Sequence, residues 1–237
     1  MIRFWLSALI VFLGSASIGG EKNAPEKVRY LRPTSSGTVT ECTFTIQRGP
    51  EGWSIQSITE RGKGRLALTA AYNRANHLTS ADVSWIVDGK SKKAKVSVAG
   101  DKARIQPEGK EAQEFAVPPG VIVTSAPDWT DTFLLCRRYD RQKAGKQSFP
   151  GLWIHPLQDS QLLMFRIERT GSDTIEHAGK KLVLDRFLIH LRNNSKYAAW
   201  ADEKGLMIKL HALPFRAGVD MLVLEGFEKS TAKLRVP

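Results

Sequence analysis

From Gly37 to Gly120 apolar and polar residues alternate in short runs, the period-2 signature of strands with one buried face. Cys42, Phe44 and Ile46 alternate with Glu41, Thr43, Thr45 and Gln47. Gly49-Pro50-Glu51-Gly52 turns the chain, and Trp53 to Thr59 continues as a second strand. Arg61-Gly62-Lys63-Gly64-Arg65 breaks the run before Leu66 to Tyr72. Val83 to Val87 then meets Asp88-Gly89, and Lys93 to Val98 follows. Asp-Gly between alternating runs predicts a type I′ hairpin, because both central residues of that turn take positive φ. Lys102 to Gln106 and Glu111 to Val117 extend the meander to Pro118-Pro119-Gly120.

One segment breaks this texture. Ser125-Ala126-Pro127-Asp128 offers a Ser N-cap, an acid three places on and a Pro in the first turn. Trp129, Phe133 and Cys136 recur at i, i+4 and i+7, with Leu134 and Leu135 widening the stripe and Arg137-Arg138 closing it. The spacing predicts a helix over 126–139 whose apolar face needs a sheet to cover it. Asp140 to Pro150 reads as a basic loop. Beyond it the β texture returns at 152–155, 161–169, 174–177, 182–191, 197–201, 206–210 and 221–228.

The runs at 161–169 and 182–191 are apolar on both sides: Phe165 and Ile167 beside Leu162 and Met164, Phe187 and Ile189 beside Leu184 and Leu188. Such strands need cover on both faces, and a sheet of more than about ten strands must curl, close or split. The expected fold is therefore mainly β: one large curled antiparallel sheet, an open half-barrel of about nine to twelve strands, clasping one principal helix near 126–139. No composition shift divides residues 37–237, which read as a single domain.

The N-terminus sets the compartment. Met1-Ile2-Arg3 is a short basic start, Phe4 to Gly14 an uncharged apolar run, and Ser15-Ala16-Ser17 supplies small residues for cleavage near Ser17. That is the layout of a secretory signal peptide over 1–17, and the run is too short to cross a hydrocarbon core that needs about 20 residues. Residues 18–36, polar and containing Gly and Pro, read as a flexible lead-in. With no Cys near the cleavage point to accept a lipid, the cleaved protein is expected to be periplasmic and not an integral membrane protein. In an oxidising compartment the two cysteines, Cys42 and Cys136, are either a disulfide or two buried thiols, and spacing does not choose between them.

Export also redirects the net charge of +11. In a cytosolic chain it points to nucleic acid; outside, it points to anionic lipid headgroups, acidic glycans or an acidic envelope partner. The densest basic run, Lys90-Ser91-Lys92-Lys93-Ala94-Lys95, falls at a hairpin tip. It reads either as a headgroup or partner contact or as lysines that keep an edge from pairing.

The hairpin Tyr197-Ala198-Ala199-Trp200-Ala201-Asp202-Glu203-Lys204-Gly205-Leu206 and the strand after it resemble the Trp-x-Asp-x-x-Gly ending of a family of exported bacterial proteins of unknown function. The Val87-Asp88-Gly89-Lys90 hairpin and a helix past mid-chain occupy similar places. That resemblance implies the open half-barrel of the periplasmic lipoprotein carriers LolA and LolB, with an apolar or amphipathic ligand held between sheet and helix. It defines no functional residue to carry over.

Catalytic chemistry finds no motif. The histidines (His77, His155, His177, His190, His211) form no HExxH or H-x-H pair, and His190 and His211 could meet only across neighbouring strands. Asp185 and Glu176 have nothing that brings them together, and Ser125, Ser148 and Ser195 lack a nucleophile-elbow context. No metal or cofactor is expected, and an enzymatic activity is the least supported of three readings. The leading one is an exported non-catalytic protein binding a lipid-like ligand or a lipidated protein, with Trp85, Trp129, Phe133, Phe165 and Phe187 lining the cleft. The alternative is an envelope scaffold or partner-binding protein with a closed core and no small-molecule ligand.

Overall fold

The computed structural model describes residues 24–34, 37–125, 128–155, 158–191, 195–214 and 221–234. The segment read as a signal peptide lies outside them. Among the described residues fifteen strands make one sheet. The first eight are β1 (Glu26–Thr34), β2 (Gly37–Gly49), β3 (Gly52–Arg61), β4 (Gly64–Asn73), β5 (Leu78–Val87), β6 (Lys90–Ala99), β7 (Lys102–Pro107) and β8 (Gln113–Ala116). After β9 (Ile122–Thr124) comes the helix α1 (Thr130–Arg138). Then follow β10 (Lys146–Trp153), β11 (Gln161–His177), β12 (Lys180–His190), β13 (Lys196–Ala201), β14 (Met207–Leu213) and β15 (Met221–Leu224).

The spatial order is β8-β7-β6-β5-β4-β3-β2-β1-β15-β14-β13-β12-β11-β10-β9. Its two edges, β8 and β9, are consecutive in the chain, and this dictates the shape. Laid flat, fourteen spacings of about 4.8 Å would part those edges by about 67 Å. The connection from Ala116 to Ile122 reaches at most about 21 Å. The sheet must therefore curl through most of a turn without a ladder closing it, the open curled sheet expected.

Three expectations are corrected. The strand count exceeds the sequence estimate, in part because Glu26–Thr34, assigned to a flexible lead-in, is β1, with Val28 and Tyr30 buried and pairs to both β2 and β15. Lys146 to Pro150, read as the end of a basic loop, begins β10. The sheet is not wholly antiparallel, because β9 runs parallel to β10. The helix lies within the expected span but starts at Thr130, with Trp129 at the N-cap and no side-chain cap bond; residues 126 and 127 lie outside the described residues. The Asp88-Gly89 turn takes φ of 49° and 74°, as a type I′ hairpin requires.

Two apolar clusters occupy the two faces. The larger fills the concavity around α1. The smaller, with Ile175, Leu184, Ala198, Trp200 and Ile208, covers the other face of β11–β14 beneath Phe227 and Leu234 of the C-terminal segment. Buried Lys209 pins that segment by donating from Nζ to the carbonyls of Thr231 (2.9 Å) and Leu234 (3.1 Å). The second face of β12 is thus covered at Leu184 and that of β11 at Ile175, whereas Leu162 and Met164, beside Phe165 and expected to need cover, are exposed, as is Val183.

Candidate functional site

The concavity is occupied by α1, whose residues Thr130 to Cys136 are all buried. Phe133 stacks on Phe44 of β2 at 4.4 Å and meets the edge of Tyr30 at 6.3 Å. Trp129 lies edge-on to Tyr197 of β13 (5.7 Å), and Tyr139 edge-on to Phe187 of β12 (4.9 Å). At the C-terminal end the Arg137 guanidinium sits 4.6 Å from the Phe133 ring and pairs with Glu26, whose carboxyl it holds below the usual range. Arg138 donates to the carbonyl of Gly120 and covers Tyr72 and Trp53, which stack on each other at 4.3 Å. Acids stand at the N-terminal end and arginines at the C-terminal end, the order the helix dipole favours.

The five side chains expected to line a cleft do not share one role. Phe133, Phe165, Phe187 and Trp129 are buried in the main cluster, packed ring against ring or against backbone. The Phe165 ring fills the space a Cβ on Gly151 would take, 2.2 Å away. Trp85 stands apart from these four. It is half-buried at the end of β5, edge-on to His155 at 4.8 Å, and His155 stacks on Trp153 at 5.0 Å. Residues 153 and 155 share one side of a run, a signal present in the sequence; that Trp85 faces them is a long-range fact.

Register sorts the four lysines. Lys92 is directly opposite Trp85 and Lys90 opposite Val87, on the same face as the buried pair Val83–Ala94. Directly opposed residues of an antiparallel pair share a face. Lys90 and Lys92 therefore extend the concave face past its apolar end, while Lys93 and Lys95 stand on the opposite face across from Ser84 and Asp82. All four are exposed.

At the N-terminal end of α1 lies a polar group the sequence reading did not assemble. Asp128 accepts a hydrogen bond from the Ser57 hydroxyl, and backbone N–H groups of Trp129 and Thr130 also favour its ionised form. Asp131 accepts from the Thr124 hydroxyl (3.2 Å) and from the N–H of Thr132 (2.6 Å). Burial outweighs these bonds. It raises Asp128, and together with the neighbouring Asp128 charge it carries Asp131 to about 7.

Cys42 and Cys136 are both buried and free, so the structure has two thiols and no bridge. Burial pushes Cys136 up to about 12 and raises Cys42 well above its ordinary value, which leaves both poor nucleophiles. His190 and His211 do not pair, because β13 lies between β12 and β14. Asp185, far from acting with Glu176, is clamped by Arg141 and Arg169, each at 2.6 Å. Among the described residues no three His, Cys, Asp or Glu side chains gather as a metal would need, and no helix is long and apolar enough to cross a membrane.

The Trp200–Gly205 stretch is a structural joint. Asp202 Oδ1 accepts the N–H groups of Lys204 (2.9 Å) and Leu206 (2.8 Å), and Trp200 Nε1 donates to Asp173 (2.8 Å). Gly205, at φ +78°, lets this turn touch α1: a Cβ there would lie 2.6 Å from the Cys136 carbonyl oxygen.

No family model and no curated protein matches the chain. Solved structures do. The crystal structure of a β-barrel-like protein of domain of unknown function DUF1849 from Brucella abortus has a TM-score of 0.53 at 6% identity, covering 84% of this chain and 95% of that one. A DUF1089 family protein from Pseudomonas aeruginosa has a TM-score of 0.45 at 14% identity, covering 72% and 89%. What the first shares with this chain is the fold.

Proposed function

We propose that this is an exported, non-catalytic binding protein, free in the periplasm after cleavage near Ser17, that takes an amphipathic, lipid-like ligand at the Trp85 end of its half-barrel. The observation that carries the reading is the inward-facing pair Trp85–Lys92, with His155 and Trp153 behind the indole. Aromatic rings offer apolar area to a chain, and the adjacent ammonium groups suit an anionic head. Phe133, Phe165 and Phe187 then form the floor that holds this end in shape.

A second reading, a scaffold with a closed core that meets an acidic envelope partner, is favoured by the Phe44–Phe133 stack, which closes the gap between helix and sheet. One experiment separates them. The chain from residue 18 is purified and extracted with organic solvent. Recurrent co-purified lipid, with Lys90→Glu/Lys92→Glu losing it and Lys93→Glu/Lys95→Glu keeping it, supports the ligand site. A clean extract and no uptake of a fluorescent fatty acid support the scaffold.

A further inference from the structure

Asp128 and Asp131 lie where α1 enters the concavity, both buried, one just before the helix and one in its first turn. What reaches them is neutral: the hydroxyl of Ser57 on Asp128, whose second oxygen is buried without a hydrogen-bond partner, and the hydroxyl of Thr124 with the N–H of Thr132 on Asp131. Around this turn β3 presents Ser57 and Thr59, and β9 presents Thr124. β2 brings the Cys42 thiol, which feels both Asp128 and Glu41, and Glu41 is paired with Arg32. β13 brings the Tyr197 ring against Trp129, while Tyr30 of β1 lies further along the helix with Phe133. Arg137 and Arg138 are at the far end. Two ionised carboxylates here would be like charges in a dry space with no cation between them.

We infer that Asp128 and Asp131 form a buried carboxyl pair that must hold a proton to stay seated and so latches α1 into the half-barrel, loss of that proton loosening the seat of the helix. Serine and threonine hydroxyls suit that role, since they donate to whichever oxygen is ionised. Asp131 is the member expected to give up the proton near neutrality, because burial and its neighbour raise it to about 7. Opening to solvent returns the carboxyl to the ordinary range, so opening becomes easier as pH rises through the interval between the two values and then levels off. The inference concerns the helix seat and holds whether or not a ligand binds at Trp85.

Cys136 on α1 reports the seat directly, because it is buried with the helix. In a Cys42→Ser background its reaction with a methanethiosulfonate reagent is followed from pH 5 to 8.5. Each rate is divided by that of the guanidinium-unfolded chain at the same pH, which removes the thiol's own ionisation. The normalised rate is expected to rise up to tenfold per pH unit below 7 and to flatten above it. Asp131→Asn abolishes the rise. If that variant does not fold, Thr124→Val, which lacks the hydroxyl favouring the carboxylate, moves the plateau to higher pH. Matching pH profiles in the parent and these variants, or labelling of Cys136 only at the rate of global unfolding, overturn the inference.

Discussion

Phe133, in the middle of α1, stacks on Phe44 of β2 with centroids 4.4 Å apart and planes within 10° of parallel. This contact seats the helix against the sheet, with Tyr30 meeting both rings edge-on. Truncating Phe133 leaves a ring-sized void that the fully buried surroundings cannot refill. Phe133→Ala is expected to cost about 3–5 kcal/mol of unfolding free energy, read by urea denaturation. A cost below about 1 kcal/mol means that the helix does not depend on this seat.

Gly205 tests the joint between the β13–β14 turn and the helix. An alanine there combines a left-handed φ of +78° with a Cβ driven into the backbone of Cys136 and Arg137. Backbone does not swing away as a side chain can, so Gly205→Ala is expected to lose about 2–4 kcal/mol. Gly89→Ala, at φ +74° but with nothing within 4 Å, serves as the control and is expected to lose about 1–2 kcal/mol.

Lys209 tests the C-terminal cover. Its ammonium is buried and donates to two backbone carbonyls of the segment it holds. Lys209→Met keeps the stem and removes the donors, so the segment is expected to detach before the domain unfolds. Trypsin then cleaves at Lys229 or Lys233 at least tenfold faster than in the parent, as intact mass shows. Equal cleavage rates mean that Phe227 and Leu234 hold the segment without it.

The pH dependence of stability follows from Asp131. Its folded value, about 7, lies above the ordinary 3.8, so between those values the folded chain binds more protons than the unfolded one. Stability is then greatest below the unfolded value, declines as pH rises through the window and is flat above it. The full difference is on the order of 4 kcal/mol. Other carboxylates act oppositely, as Glu26 does through Arg137, so the difference between parent and Asp131→Asn isolates the effect. That difference is expected to shift in favour of the variant from pH 4 to 7. A constant difference contradicts the assignment.

Local chemistry was legible in the sequence where one turn or one face decides it. Asp88-Gly89 states its own hairpin, and the doubly apolar run around Phe187 states that its second face is covered at Leu184, whereas Leu162 and Met164 beside Phe165 stay exposed. β1 escaped notice because Glu26, Lys27, Arg29 and Arg32 surround only two inward side chains, and its partner β15 comes from the far end of the chain. The interior residues were found as apolar but not sorted into floor and mouth. Trp85 stands at the mouth because of where β5 ends relative to Trp153 and His155, which no periodicity encodes. Asp128 and Asp131 read as ordinary acids at a helix start, and only the sheet wrapped around them makes them dry.

The central claim is that the Trp85 end of the half-barrel takes an amphipathic ligand. It is tested by titrating a fluorescent fatty acid into the delipidated chain from residue 18 and into its Trp85→Ala variant, with thermal unfolding measured on both. Saturable one-to-one binding that weakens at least tenfold in the variant, about 1.4 kcal/mol, at an unchanged melting temperature is the expected result. No saturable uptake, or equal affinity in the two proteins, contradicts it.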